Sequence, residues 1–155
     1  MKVYVAGNSI EYRRIQELMD GLEDNGIQVT RRWDQLAANY YQNRARGVTG
    51  KGVGSLDMSE QEARRIAMDS LADVYNSNIF VLDYGAWQGC FGRTGGKWVE
   101  LGYALAASKP VIVFVEGGEV KTNFTFCFLP QVEIVVGRQE LVARLKELVG
   151  IGGAK

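Results

Sequence analysis

Residues 79–115 read IFVLDYGAWQGCFGRTGGKWVELGYALAASKPVIVFV, and this stretch decides the fold. Ile79–Asp83 is a short apolar run ended by an acid, the pattern of a strand buried on both faces. A glycine-rich loop, 84–96, leads into a predicted helix from Lys97 to Ala107, where Gly102 and the following alanines suit close packing on a sheet. Lys109-Pro110 then starts a second apolar run, Val111–Val115. A strand, a helix and a strand in that order imply parallel pairing through a right-handed crossover.

The same alternation extends in both directions. Lys2–Ala6 reads as a strand ended by Gly7-Asn8-Ser9, and Ile10–Asn25 as a helix with Ile15, Leu18, Met19 and Leu22 on one face. Ser9 is placed to cap that helix and Gly26 to close it. Ile27–Trp33 is the expected second strand. From Asp34 to Asp57 no period is sustained, and glycines at 47, 50, 52 and 54 accompany Tyr40, Tyr41, Arg44, Arg46 and Lys51. A connection of that length is expected to be a substrate-covering lid, with a short helix around Gln35–Asn43. Ser59 and Glu62 form a capping box for a helix running to Asn76. Val132–Val136 is the fifth strand, Gln139–Val149 the last helix, and residues 151–155 a flexible tail.

Five strands alternating with helices predict a single α/β domain over residues 1–150. The expected architecture is a three-layer doubly wound sandwich with a five-stranded parallel sheet, flavodoxin- or Rossmann-like. Ligands in that architecture bind beyond the carboxyl ends of the strands, where strand order reverses. The segments to watch are therefore Gly7–Ser9, Trp33–Asp34, Asp83–Gly96 and Glu116–Asn123.

Composition removes several chemistries. The chain of 155 residues has 18 basic and 18 acidic residues, so no global field attracts nucleic acid. Histidine is absent, which excludes Ser-His and Cys-His nucleophile pairs and histidine-ligated zinc. The spacing of Cys90 and Cys127 fits no metal motif, and both are expected to be reduced thiols in a cytoplasm. The N-terminus runs straight into a strand pattern, without the features of a signal peptide, and no apolar run approaches membrane-spanning length. A cytoplasmic protein without metal or cofactor is the expectation, with its chemistry resting on carboxylates, lysines, tyrosines or thiols.

The glycine-rich loop does not complete a phosphate motif. A P-loop ending at Gly96-Lys97 would need glycine at 91 and serine or threonine at 98, where the chain has Phe91 and Trp98. A GxGxxG dinucleotide fingerprint is also missing. What remains is a helix start with bare N–H groups, preceded by Arg93 and Thr94, where negative charge is favoured. Glu100, expected in the first helical turn, is the acid best placed to stay ionised there. A fixed, poorly solvated carboxylate is what attack on a sugar carbon requires.

At Gly95-Gly96-Lys97-Trp98-Val99-Glu100-Leu101-Gly102-Tyr103-Ala104, followed by Lys109-Pro110-Val111, the sequence resembles the nucleoside 2-deoxyribosyltransferase family. That family includes a related branch of nucleoside 5′-monophosphate N-glycosidases. The similarity extends to Val3-Tyr4-Val5-Ala6-Gly7 and to the helix bearing Asp69 ahead of Asn78–Asp83. The resemblance implies cleavage of the N-glycosidic bond of a (2′-deoxy)nucleoside or its monophosphate through a covalent glycosyl-glutamate, with transfer to another base or to water. It implies Glu100 as nucleophile, Tyr4 as its neighbour, and Asp69 (or Asp73, one turn on) as the pocket acid. Asp83, Gly95 and Gly96 would border the substrate.

The family's loop aspartate is replaced here by Thr94, with Arg93 beside it. That change points away from base exchange and toward a phosphate-bearing substrate, for which Gly7, Asn8, Ser9 and Arg13 could serve. Asn123, in Thr122-Asn123-Phe124, resembles a segment that reaches a neighbouring subunit's site, implying a homo-oligomer with a shared active site. Two other classes remain open: an NAD-cleaving glycohydrolase that also uses a helical glutamate, and a non-catalytic nucleotide-binding module.

Overall fold

The computed structural model describes residues 1–45, 59–85, 96–117, 126 and 129–150. Five parallel strands form one sheet: β1 (Lys2–Ala6), β2 (Gln28–Val29), β3 (Ile79–Gly85), β4 (Val111–Val115) and β5 (Val132–Val136). The sheet order is β2-β1-β3-β4-β5, the flavodoxin/Rossmann-like doubly wound arrangement. The helices are α1 (Tyr12–Asp24), α2 (Trp33–Ala45), α3 (Glu60–Asn76), α4 (Gly96–Ala106) and α5 (Arg138–Val149). Among the described residues, no helix is long and apolar enough to cross a membrane.

Each central strand divides its side chains between two cores, because successive residues of a strand face opposite ways. Val3, Val5, Ile79, Val81, Ile112 and Phe114 pack with α1 and α5 residues such as Ile15, Leu18, Leu141 and Leu145. Tyr4, Ala6, Phe80, Leu82, Val111 and Val113 pack on the other face with Val74 of α3 and Leu101 and Ala104 of α4. The crossover after β1 thus lies on one face and the crossovers before and after β3 on the other. The crevice this leaves at the carboxyl ends of β1 and β3 is the switch point of the fold.

Two local expectations are corrected. The second strand, expected over Ile27–Trp33, is confined to Gln28–Val29, with one further ladder bond from the Thr30 amide to the Val3 carbonyl (2.9 Å). It stops because Arg31 and Arg32 are drawn into ion pairs with α3 and α1. The Trp33 indole then donates to the Val5 carbonyl (2.7 Å), which starts α2. The short helix expected around Gln35–Asn43 is present within the 13-residue helix α2, and the remainder of the expected lid segment, 46–57, lies outside the described residues. Ser9 does not cap α1: it opens a short 3-10 turn, Ser9–Glu11, in which the Glu11 amide donates to the Asn8 carbonyl (2.9 Å). The Ser59–Glu62 capping box of α3 forms as expected.

Gly7 follows β1 where the chain packs against Ile15 of α1. A Cβ added there would stand 2.5 Å from Ile15 Cδ1. Gly7→Ala is expected to cost about 1–3 kcal/mol by overpacking. Adding Ile15→Val, which deletes the clashing methyl, should recover part of that loss; urea unfolding of the two single variants and the double would measure the coupling.

Candidate active site

Tyr4 lies at the centre of β1 on the α3/α4 face, so its phenol points at α4. Its ring stacks on Phe80, its registered partner on β3, with centroids 5.8 Å apart and planes 14° from parallel. Its hydroxyl donates to Glu100 Oε1 at 2.8 Å. Both residues line a cavity of about 200 Å³ at the carboxyl end of β1. Gly7, Ser9, Gly96 and Lys97 border the cavity, and Trp33, Leu36, Ala37 and Ile66 supply its apolar wall. Another groove, about 280 Å³, lies between α1 and α5 and is lined by none of the candidate site residues.

The described part of α4 starts at Gly96, which puts Glu100 fifth along the helix rather than in its first turn. Its electrostatics are therefore governed by burial and neighbours instead of free helix-end amides. Burial pushes the Glu100 carboxyl above the ordinary glutamate range, and the Tyr4 hydrogen bond and the Arg31 charge pull it only part of the way back. Burial and the Glu100 charge hold the Tyr4 phenol well above its usual value, against smaller opposing effects from a Ser70 hydrogen bond and Arg31. Tyr4 thus remains a hydrogen-bond donor at every pH the fold experiences, and Glu100 is the group that titrates.

The other acids stand elsewhere. Asp83 shares the strand parity of Ile79 and Val81, so it turns to the opposite face from Tyr4 and meets α1. Its fully buried carboxylate takes both terminal nitrogens of Arg14, one of them at 2.8 Å from Oδ1, and accepts the Gly85 amide at 3.3 Å. Arg14 also bonds Glu11 (2.9 Å) and pairs with Glu116 (3.4 Å). Burial pushes Asp83 upward, with Arg14 opposing. Burial likewise works against the Arg14 charge, but Asp83 and Glu11 outweigh it and the guanidinium pKa rises. Asp83 is thus engaged with Arg14, away from the Glu100 cavity.

Asp69, on α3, is 54% exposed at its side chain and lies 3.6 Å from Arg31; Asp73 binds the same guanidinium at 3.1 Å. Asn8 is buried between Gly7 and Ser9. Arg93, Thr94, Gly95 and Asn123 lie outside the described residues. The structure therefore brings Glu100, Tyr4, Gly7, Ser9 and Gly96 together and sends Asp83 to the other face. It also adds Ser70, Lys97 and Arg31, which sequence reasoning left unassigned, and Trp33, which belongs to one of the strand-end segments singled out in the sequence.

The Arg14–Asp83 pair gives an asymmetric expectation. Arg14→Ala leaves a buried carboxylate with one amide and should cost about 3 kcal/mol, whereas Asp83→Asn leaves Arg14 with Glu11 and Glu116 and should cost less. Because a raised Asp83 pKa penalises the native state as pH rises, the Arg14→Ala deficit relative to wild type should narrow as pH falls into the carboxylate range. Thermal unfolding across pH would measure both.

No family model and no curated protein matches the sequence. The solved structure of the Clostridium botulinum CMP N-glycosidase BcmB aligns with a TM-score of 0.54 at 16% identity, covering 96% of this chain and 99% of that one. At that identity the likeness establishes the shared fold, over nearly the full length of both chains.

Proposed function

We propose that the chain cleaves the N-glycosidic bond of a nucleoside or nucleoside 5′-monophosphate, with Glu100 as the nucleophile. The observation that carries this reading is the Glu100 carboxylate held at 2.8 Å by Tyr4 inside a cavity at the fold's switch point. Tyr4 fixes Oε1, which leaves Oε2 to attack C1′ of the sugar. The C1′–N bond breaks as the C1′–O bond forms, and the base departs with the bonding pair and gains a proton. Water, or a second base, then attacks C1′ and frees the carboxylate, with retention at the anomeric carbon.

The environment suits the first step in two ways. A carboxylate stripped of part of its water shell is a stronger nucleophile, and its single strong hydrogen bond fixes its direction. The apolar wall of Trp33, Leu36, Ala37 and Ile66 offers a surface for a flat base or the sugar's hydrophobic face. Support for a nucleotide substrate comes from the Clostridium botulinum protein of the same fold, a CMP N-glycosidase. Loss of the loop aspartate at Thr94 favours water over a second base as acceptor.

Incubation with a panel of nucleosides and 5′-monophosphates, with and without an acceptor base, separates the outcomes by chromatography. Free base alone means hydrolysis, and a new nucleoside means transfer. Glu100→Gln should lower kcat/KM by at least about 10³-fold; equal base release by wild type and variant would sink the assignment. The acid limb of kcat/KM should lie above the free-glutamate value of about 4.3, because the raised Glu100 pKa delays ionisation.

Stability should respond in the opposite sense. A raised native pKa favours folding below the unfolded value, and that advantage is lost as pH rises through the native one. Glu100→Gln lacks this loss, so its Tm should exceed that of wild type at pH 7, with the gap closing in the carboxylate range.

A further inference from the structure

A helix that meets water keeps its charges outside and its apolar stripe within. In α4 the arrangement is reversed. Its two charged residues, Lys97 and Glu100, both turn inward and line the cavity, Lys97 being only 5% exposed. Its outward face carries Val99, Gly102, Tyr103 and Ala106, at the i, i+3, i+4 and i+7 spacing of a single helix side. Val99 is 63% exposed and Tyr103 38%. Gly102, expected against the sheet, faces away from it: a Cβ added there would meet nothing within 4 Å, and Ala104 makes the inward contact instead. Glycine inside a helix weakens it relative to alanine, and nothing that the described residues pack against Gly102 requires one. The apolar surface continues onto α3, which covers the same face of the sheet beside α4. There Met68 is 72% exposed and Tyr75, two turns on, is 65% exposed. Lys109, just beyond α4, donates to the Tyr75 carbonyl at 2.7 Å and stands 5.8 Å from the Tyr75 ring centroid, which sets that ring beside the end of α4.

We propose that the outer faces of α4 and α3 form the interface of a homodimer, in which α4 packs antiparallel on α4 of a second copy about a two-fold axis near Gly102. Exposed apolar patches of this kind mark sites where a protein meets a partner, and three features select a second copy as that partner. A two-fold axis sets each residue beside it against its own image, so a charge there would face a like charge. The outer face of α4 has none, because both charges of the helix turn inward. Val99 and Ala106 lie equally far along the chain from the midpoint between Gly102 and Tyr103. An antiparallel crossing therefore brings the valine of one copy over the alanine of the other, large against small. Gly102 at the centre lets the two backbones approach and leaves room for the tyrosine ring of the opposite copy. Met68 and Tyr75 of α3 extend the contact beyond the central pair of helices.

Sedimentation velocity of the full chain over a wide concentration range tests this without reference to the reaction. Wild type should sediment as a dimer, at twice the 17.2 kDa of the chain. Tyr103→Glu and Val99→Glu each set a charge against its own image, and each should raise the dimer dissociation constant by at least about 30-fold. Far-UV circular dichroism should stay that of wild type in both. Val99 is more exposed than Tyr103, so Val99→Glu keeps the test decisive if Tyr103→Glu fails to fold. Gly21→Glu, on α1 across the sheet, where an added Cβ also meets nothing within 4 Å, should leave the dimer intact. A wild type that is monomeric at every concentration would mean that something other than a second copy covers the face, and overturns the proposal. So does a dimer that survives both α4 variants. Dissociation by Gly21→Glu alone would put the interface in the groove between α1 and α5, which overturns it as well.

Discussion

The pleat of the parallel sheet is the constraint from which the site follows. Covered on both faces, β1 from Val3 onward and all of β3 bury every residue, and the chain can only choose a side by parity. Odd positions of β1 and β3 serve the α1/α5 core and even positions the α3/α4 core. Tyr4 is even and reaches α4; Asp83 is odd and reaches α1. A one-residue slip in either strand would exchange these partners and place unpaired polar groups in the cores. The register that satisfies the apolar residues is thus also the register that assembles the carboxylate and its phenol.

Two buried acids in one fold meet opposite fates because their neighbours differ. Asp83 is locked into a bidentate pair with Arg14, whose remaining capacity goes to Glu11 and Glu116, and this cluster ties α1 to the ends of β3 and β4. Among the described residues Glu100 accepts a hydrogen bond from the neutral Tyr4 phenol at Oε1, and its Oε2 has no such partner there. Saturation makes the first a structural tie, and incomplete satisfaction makes the second available for chemistry.

Much of the fold was legible because buried parallel strands are continuous apolar runs: Lys2–Ala6, Val111–Val115 and Val132–Val136 coincide with their expected bounds. β2 was overestimated because its edge position leaves pairing on one side only, and the charges of Arg31 and Arg32, invisible to a periodicity argument, claim the backbone that follows. The helix expected around Gln35–Asn43 was placed too short, because the apolar residues of α2, Trp33, Leu36 and Ala37, cluster in its opening turn without a sustained stripe. In the site, Glu100 and Tyr4 were readable from their motifs. Asp83 was grouped with them because it ends a strand near the loop, although counting parity from Tyr4 and its neighbours would have separated the two. Arg31 could not be found this way, since its partner Asp73 is 42 residues distant and nothing local marks the pairing.

The bond from the Trp33 indole to the Val5 carbonyl has a consequence for recognition. It fastens the largest wall of the cavity to the strand that bears Tyr4, so that wall is already in place before any guest arrives. Ordering a rotamer-rich side chain on association typically costs about 0.5–1.5 kcal/mol, and a wall locked in advance is spared that penalty. The cavity is preorganised on the side of Trp33, so the affinity of a flat guest there depends on its fit to an existing surface rather than on its capacity to build one.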